Sequence, residues 1–321
     1  MNIALIGYGY WGKILYSNLL KFKNINLNTI VDKNLNLQFP LNINFCSNYK
    51  EVLKKDPDLE AVFIATPAST HYEIIKFFLK KSINVLVEKP TTTSIKQTKE
   101  LLDIAKNNKT LLMTDYTYMH NDHIKFIKKY IDGGKLGNIL YINFDRSNLG
   151  PIRSDVGVLR DLASHDLAIL NFLTNLNHTS IIASSFKSQA SKNEEVLNIS
   201  IKYKSFLVNI FASWLHPEKT RTIKIVGDKK MIIYDELNLN EPIKIYDKKI
   251  SDINERIQTG TSIFNFSTGS TLSPFVITKS PVENMINSFI KLSKNTNNDY
   301  KDLYRKIYKI EKDISEIEKI I

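Results

Sequence analysis

Residues 2–12 read Asn2-Ile3-Ala4-Leu5-Ile6-Gly7-Tyr8-Gly9-Tyr10-Trp11-Gly12. A short apolar run feeds directly into a glycine-spaced turn, and a helical pattern follows. In such a strand-turn-helix unit the first glycine permits the tight turn. The second lets backbone approach a pyrophosphate, and the third lets the helix pack against the strand. The free amides and partial positive charge of the helix N-terminus then face the phosphates. Gly7, Tyr8, Gly9, Tyr10, Trp11 and Gly12 are therefore candidate dinucleotide-binding residues.

The spacing further along gives this turn its context. Apolar runs at Asn2 to Ile6, Leu27 to Val31, Ala61 to Ala65, Asn84 to Val87 and Thr110 to Met113 alternate with amphipathic stretches. In Thr70 to Lys81, for example, Ile74, Ile75, Phe78 and Leu79 fall at helical spacing and lysines occupy the other face. The alternation calls for a doubly wound parallel sheet, an α/β fold. Asp32 ends the second run, twenty positions after Gly12, where a carboxylate accepts hydrogen bonds from the adenosine ribose diol. It favours NAD over NADP by repelling a 2′-phosphate, and the neighbouring Lys33 tempers that preference.

At 321 residues the chain exceeds the usual single-domain size. We expect a dinucleotide-binding domain over 1–120 and an α+β domain for substrate binding and oligomerisation over 121–321. In the second part a helix from Asp122 to Ile131 ends at Gly133-Gly134. Strand-like segments follow at Leu197 to Tyr203, Phe206 to Trp214, Thr222 to Val226 and Met231 to Tyr234, joined by short turns as in an open, mainly antiparallel sheet. Gln258 to Ser273, rich in Thr, Ser and Gly, reads as a long surface loop. Helical patterns over Pro281 to Lys294 and Lys301 to Ile321 close the chain.

Composition narrows the function classes. A lone cysteine, Cys46, rules out an intrachain disulfide framework and a multi-thiolate zinc site, and reads as a small buried apolar residue. The net charge of +11 is carried by lysines scattered among Asn and Ile, with no arginine-rich arm, zinc finger or RNP motif, so no nucleic-acid partner is expected. The N-terminus has no basic region before its apolar run and meets glycines at once, which fits neither a signal peptide nor a membrane span; a cytoplasmic protein is expected.

Three further clusters carry chemistry. Ala65-Thr66-Pro67 ends the third apolar run named above, where a doubly wound sheet builds its cofactor crevice, so Thr66 and Pro67 are candidate cofactor contacts. Thr70 as helix cap and Pro67 as turn former explain the same residues nearly as well, and His71 receives no role. Glu88-Lys89-Pro90 follows the next run; a lysine there can donate to a substrate hydroxyl and favour its deprotonation. In Asp161-Leu162-Ala163-Ser164-His165-Asp166 the four-residue separation puts Asp161 and His165 on one helix face. Imidazole can take a hydroxyl proton near neutrality while a hydride leaves the same carbon. Helix capping and surface polarity would account for such a pair in isolation. No companion cluster has metal-ligand spacing, so no metal is expected.

Taken in order along one chain, the Gly7-to-Gly12 turn, Ala65-Thr66-Pro67, Glu88-Lys89-Pro90 and Asp161-x-x-x-His165 resemble the glucose-fructose oxidoreductase/inositol dehydrogenase/MocA (Gfo/Idh/MocA) family over roughly residues 1 to 250. The resemblance implies a Rossmann domain, an α+β domain whose open sheet often mediates oligomerisation, and a substrate site lined by Lys89, Asp161 and His165. Either the lysine or the histidine serves as base among members. Gly7-to-Lys13, Asn148-Leu149-Gly150-Pro151-Ile152-Arg153 and Ser213-to-Arg221 are similar to the branch acting on nucleotide-activated sugars. Arg153, Lys219 and Arg221 could there meet a diphosphate, or could equally be surface cations or oligomer contacts. Asn121 falls where the family commonly carries Asn after an aromatic and is a candidate sugar contact, although His120 precedes it; Ala163 replaces a frequent glycine.

The expected function is NAD(P)-dependent oxidation of a secondary sugar hydroxyl, or reduction of the matching ketone, at C3 of a nucleotide sugar such as a UDP-N-acetylhexosamine or its uronic acid. His165 serves as base, Lys89 orients and polarises the hydroxyl, and Asp161 holds the sugar or tunes the pair. The expected partners are the sugar substrate and further copies of the chain, as a homodimer or homotetramer. The alternatives are a dehydrogenase of free sugars or inositols and a catalytically inactive dinucleotide-sensing regulator.

Overall fold

The structure is a computed structural model and describes residues 1–34, 40, 43–154, 156–189, 191–251, 265–294 and 299–321. Its first part runs β1 (Asn2–Ile6), α1 (Tyr10–Leu19), β2 (Asn26–Val31), β3 (Asn44–Cys46), α2 (Val52–Lys55), β4 (Ala61–Ile64), α3 (Ala68–Leu79), β5 (Asn84–Glu88), α4 (Ile95–Asn107) and β6 (Leu112–Asp115). The six strands are parallel, in the order β3-β2-β1-β4-β5-β6. The doubly wound sheet expected from the alternation is present. Its chain direction reverses between β1 and β4, so the crevice for a ligand opens at the carboxyl ends of these two strands. The central strands β1 and β4 are buried on both faces, as their unbroken apolar runs require.

Several expected boundaries shift by a residue or two, and two of these shifts have a clear local cause. The last strand begins at Leu112, because Thr110 N–H donates to Ala105 O at 2.9 Å and Leu111 N–H to Asn84 Oδ1 at 2.9 Å before the ladder with β5 starts. Thr70 is not the cap of α3. The helix starts at Ala68, and Thr70 Oγ1 sits inside its first turn, 2.7 Å from Pro67 O, to which it donates, and 2.7 Å from the Thr66 hydroxyl, from which it accepts.

The second part runs α5 (Asp122–Asp132), β7 (Ile139–Leu149), a π-helical turn (Leu159–Ala163), α6 (Ser164–Thr174), β8 (Ser180–Phe186), β9 (Val196–Lys202), β10 (Leu207–Ser213), β11 (Leu215–Gly227), β12 (Met231–Asp235), β13 (Ile243–Ser251) and β14 (Asn265–Leu272). Its eight-stranded sheet has the order β14-β13-β12-β11-β7-β10-β9-β8. Every pairing is antiparallel except β7 with β10. Strict alternation puts Ile142, Phe144, Ile199, Ile201, Val208, Ile210, Ile223, Ile225 and Ile232 on one buried face. The other face is open, with Asn143, Asp145, Asn198, Ser200, Asn209, Thr222 and Lys224 around a cavity of about 460 Å³.

The surface loop expected over 258–273 is partly a strand. Its residues 258–264 lie outside the described residues, and Asn265–Leu272 pair with β13. Ser267 to Leu272 are exposed, so this edge strand is held by its backbone ladder and needs no apolar alternation to form.

The chain then continues as α7 (Pro281–Ser293) and α8 (Lys301–Glu318). By packing it divides into one unit of Met1–Asn121 with Lys279–Ser315 and another of Asp122–Thr278 with Glu316–Ile321. A single division at 120/121 therefore misses a return. The physical reason is the apolar stripe of α7: Val282, Met285, Ile286, Phe289 and Ile290 enter the core of the first unit, where Phe289 meets Phe63 edge-on with ring centroids 5.1 Å apart. In α8, Tyr304 donates to Thr110 O, and buried Glu311 accepts from Thr91 N–H at 3.0 Å and from Tyr116 O–H at 2.9 Å.

Candidate active site

In the first unit a cavity of about 660 Å³ opens at the carboxyl ends of β1, β2 and β4, lined by Gly7, Gly9, Asp32, Lys33, Thr66 and Pro67 among others. The three glycines answer to different constraints. Gly7 has φ +96°, and a Cβ there would stand 2.5 Å from Ala65 O. On Gly12 it would stand 2.1 Å from Gly7 O, so α1 can approach the turn this closely only without a side chain. A Cβ on Gly9 would meet nothing within 4 Å. The protein's own packing thus accounts for Gly7 and Gly12 and leaves open space at Gly9, where a pyrophosphate must come close. The residues present fit a bound dinucleotide.

Asp32 closes this turn. Its Oδ2 accepts from Tyr8 N–H at 2.7 Å and its Oδ1 from Asn34 N–H at 2.9 Å, leaving further lone pairs on both oxygens for a ribose diol. Tyr8 is buried, whereas Tyr10 is 84% exposed.

Sequence reasoning missed a buried acid beside Lys89. Glu88 on β5 pairs in register with Asp115 on β6, and Lys89 is the next residue. Asp115 is fully buried; its Oδ2 accepts from Trp11 Nε1–H at 3.2 Å and its Oδ1 from Thr117 Oγ1–H at 2.6 Å. Burial pushes its carboxyl up to about 6, opposed by those two donors and by the positive charge of Lys89. Trp11 of the glycine turn is thereby tied to the end of β6, the strand paired with the β5 end that precedes Lys89. An Asp ending an apolar run was visible, but its partner lies about a hundred residues away. Asn121 follows the 3₁₀ turn Thr117–His120, its N–H donating to Tyr118 O at 3.1 Å.

In the second unit the π-helical turn Leu159–Ala163 runs straight into α6 and carries Asp161; His165 is half-buried in the first turn of α6. Asp161 accepts from Arg153 Nη1 at 3.1 Å and from Trp214 Nε1–H at 3.2 Å. Next to His165, Asp166 makes a buried ion pair with Arg146 of β7, with Nη2 at 2.8 Å and Nε at 2.9 Å from Oδ1. Burial pushes the Asp166 carboxyl up, and the Arg146 charge opposes that. This pair fixes the start of α6 to the sheet and so sets where His165 stands. The local spacing singled out Asp161, four residues before His165, and gave Asp166 no role.

The three basic residues singled out for a diphosphate separate. The Arg221 guanidinium already donates to Ser147 O, Thr220 O and Asn148 Oδ1 at 2.8, 2.7 and 2.5 Å, which ties β11 to β7. Arg153 is half exposed and bonded to Asp161, and Lys219 is exposed. Among the described residues no group of three or more His, Cys, Asp or Glu side chains could hold a metal ion, and no helix is long and apolar enough to cross a membrane.

A doubly wound sheet with this glycine turn, followed by an α+β unit, defines a nicotinamide-dinucleotide oxidoreductase architecture. Residues 1–116 match the oxidoreductase family with an NAD-binding Rossmann fold, and residues 124–233 match the GFO/IDH/MocA C-terminal domain. The chain belongs to the Gfo/Idh/MocA family. One relative, the scyllo-inositol 2-dehydrogenase (NAD(+)) of Bacillus subtilis, is 30% identical over 136 residues, 41% of this chain and 40% of that protein. The chain spans about half the length, or less, of the curated relatives it matches. Among solved structures, GenD2 from gentamicin A biosynthesis in complex with NAD superimposes with a TM-score of 0.80 at 16% identity, covering 100% of this chain and 93% of that one. The UDP-N-acetylglucosamine 3-dehydrogenase GnnA from Acidithiobacillus ferrooxidans gives 0.77 at 17% identity, covering 100% and 97%. At these identities the two structures establish the shared fold.

Proposed function

We propose that this chain oxidises a secondary hydroxyl of a sugar, or reduces the corresponding ketone, with NAD as its cofactor. The observation that carries the reading is the first unit's cavity: its glycine spacing leaves open space only at Gly9, and Asp32 stands at its rim. Bound NAD supplies a hydride acceptor. Gly7, Tyr8, Gly9, Tyr10, Trp11 and Gly12 hold its pyrophosphate side, Asp32 its adenosine ribose, and Thr66, Pro67 and Glu88 line its path. Lys89 donates a hydrogen bond to the reacting hydroxyl, which lowers the cost of removing its proton. His165 takes that proton, and Asp161 orients the sugar or tunes the base through its own bonds to Arg153 and Trp214.

For the substrate we favour a nucleotide sugar over a free sugar or inositol. GnnA, of the same fold, is named for a UDP-sugar. Arg153 and Lys219 offer exposed positive charge to a diphosphate, with Asn121 as the sugar contact. The inositol reading draws on the dehydrogenase relative from Bacillus subtilis. The open face of the eight-stranded sheet, where Ile182 is 71% and Phe186 55% exposed, suits self-association into a homodimer or homotetramer. Incubating the protein with NAD and a panel of UDP-sugars, dTDP-sugars, free hexoses and inositols, and following NADH absorbance, tests the reading. Turnover confined to free polyols would remove the nucleotide-sugar assignment, and no turnover with any secondary alcohol despite tight NAD binding would favour a regulator.

A further inference from the structure

His71, in the first turn of α3, is 1% exposed and joins two loops of the first unit. Its Nε2 lies 2.8 Å from Thr66 O, on the rim of the dinucleotide cavity. Its Nδ1 lies 2.8 Å from Pro90 O, the residue after Lys89. A carbonyl oxygen only accepts, and a neutral imidazole carries a single N–H. Both contacts can be hydrogen bonds at once only if the ring is an imidazolium; in the neutral ring one nitrogen lone pair faces a carbonyl at the same short distance. The electrostatic surroundings of the ring are fully accounted for by backbone: Thr66, Pro90 and Thr91 raise its proton affinity, burial lowers it, and no charged or titratable side chain among the described residues acts on it. Burial is the largest influence, so the ring's pKa lies below the ordinary histidine value.

We propose that His71 is a positioning residue that latches the Thr66 loop to the Lys89-Pro90 loop when its ring is protonated, so that nicotinamide-dinucleotide binding is coupled to the uptake of a proton. In the free protein near neutral pH the ring is neutral and holds one carbonyl, which lets the other loop part from it. A dinucleotide resting against Thr66 selects the latched arrangement. By linkage, whatever binds the protonated form better also raises the ring's affinity for the proton. The latch carries the state of the cofactor loop to the backbone beside Lys89. It rests on the reading of the first cavity as an NAD site and is independent of which alcohol is oxidised.

The test is calorimetric titration of NAD into the parent and into His71→Gln at pH 6.5, in buffers of different ionisation enthalpy, with ¹⁵N-detected NMR of the histidine rings in the free and NAD-bound parent. The parent should take up a fraction of a proton that the variant does not. NAD affinity of the parent should weaken about tenfold between pH 5.5 and 8, the order of one net hydrogen bond to a charged group, while the variant stays flat. Asp115 titrates in the same range, so the difference between parent and variant is the quantity that isolates His71. The NMR should show the protonated fraction of the ring rising on NAD binding, by up to about half for a tenfold linkage, and this arm stands even if the variant fails to fold. Equal proton uptake in the two proteins, or one neutral tautomer in both states of the parent, would overturn the latch while leaving the NAD site intact. A parent that binds no NAD at any pH would instead overturn the cofactor reading and the latch with it.

Discussion

Replacing Gly9 and Gly12 by alanine, one at a time, separates ligand space from packing space within a single turn. On Gly12 the added methyl would stand 2.1 Å from Gly7 O and 2.9 Å from Gly7 C, where real Cβ atoms keep at least 3.0 Å. Relief requires α1 to retreat by about 0.9 Å from the turn, an overpacking that costs about 1–3 kcal/mol. In a chain of this size that lowers Tm by roughly 2–10 °C. Gly9 has φ −70° and ψ −160°, which alanine adopts freely, and its methyl would meet no protein atom within 4 Å. Alanine caps a helix less well than glycine, so a loss of up to about 1 kcal/mol is allowed for. NAD affinity should nevertheless fall roughly a hundredfold, about 2.7 kcal/mol, because the methyl occupies the space the pyrophosphate needs. Scanning calorimetry and NAD titration on both variants check the contrast. Gly9→Ala that binds NAD like the parent, or Gly12→Ala that melts with it, would refute the assignment of the two glycines.

The remaining expectations follow from individual contacts. Asp115, pushed up to about 6 from an unfolded value near 3.9, weakens the fold as pH rises between those values; Asp115→Asn should raise stability by roughly 1–3 kcal/mol above pH 6.5 and by nothing below pH 4, as read by denaturant melts across pH. Asp166→Ala takes from buried Arg146 its nearest carboxylate and leaves Glu236 at 4.0 Å, so it should cost about 1–4 kcal/mol in the same assay, whereas Arg153→Ala, whose pair is half exposed, should cost less than about 1 kcal/mol. Once a substrate is in hand, Lys89→Ala and His165→Asn should each lower kcat about 10²–10⁴-fold with NAD affinity within about threefold of the parent; loss of NAD binding with unchanged turnover would mean both are misplaced. If the substrate carries a diphosphate, Arg153→Ala with Lys219→Ala should raise KM and leave kcat largely intact, an effect that shrinks in high salt.

How much of this was legible depends on the range of the interaction. The apolar runs of β1, β4 and β5 and the stripe of α3 are local patterns imposed by burial, and such runs placed five of the six strands of the first sheet to within a residue or two, missing only the three-residue edge strand β3. The spacing from Gly7 to Gly12 and on to Asp32 is likewise local, because one strand, one turn and one helix suffice to need it. β14 was read as part of a loop because an edge strand is held by its backbone alone. β7, β8 and β13 went unassigned, as did the parallel pairing of β7 with β10, since pairing partners far apart in sequence leave no trace in either segment.

The sequence by itself determined the fold class and the glycine turn, because side-chain periodicity and glycine geometry act over a few residues, and its resemblance to the family marked Lys89, Asp161 and His165 as candidates. Only the tertiary structure decided what surrounds them. It brought α7 and Glu311 of α8 back into the first unit, tied Trp11 to Asp115 across about a hundred residues, and engaged the Arg221 guanidinium with two backbone carbonyls and the Asn148 side chain. It also set His71 between two carbonyls. A buried polar group must find its partners wherever the folded chain supplies them, and which carbonyl or carboxylate that is depends on packing among segments that the local pattern does not relate.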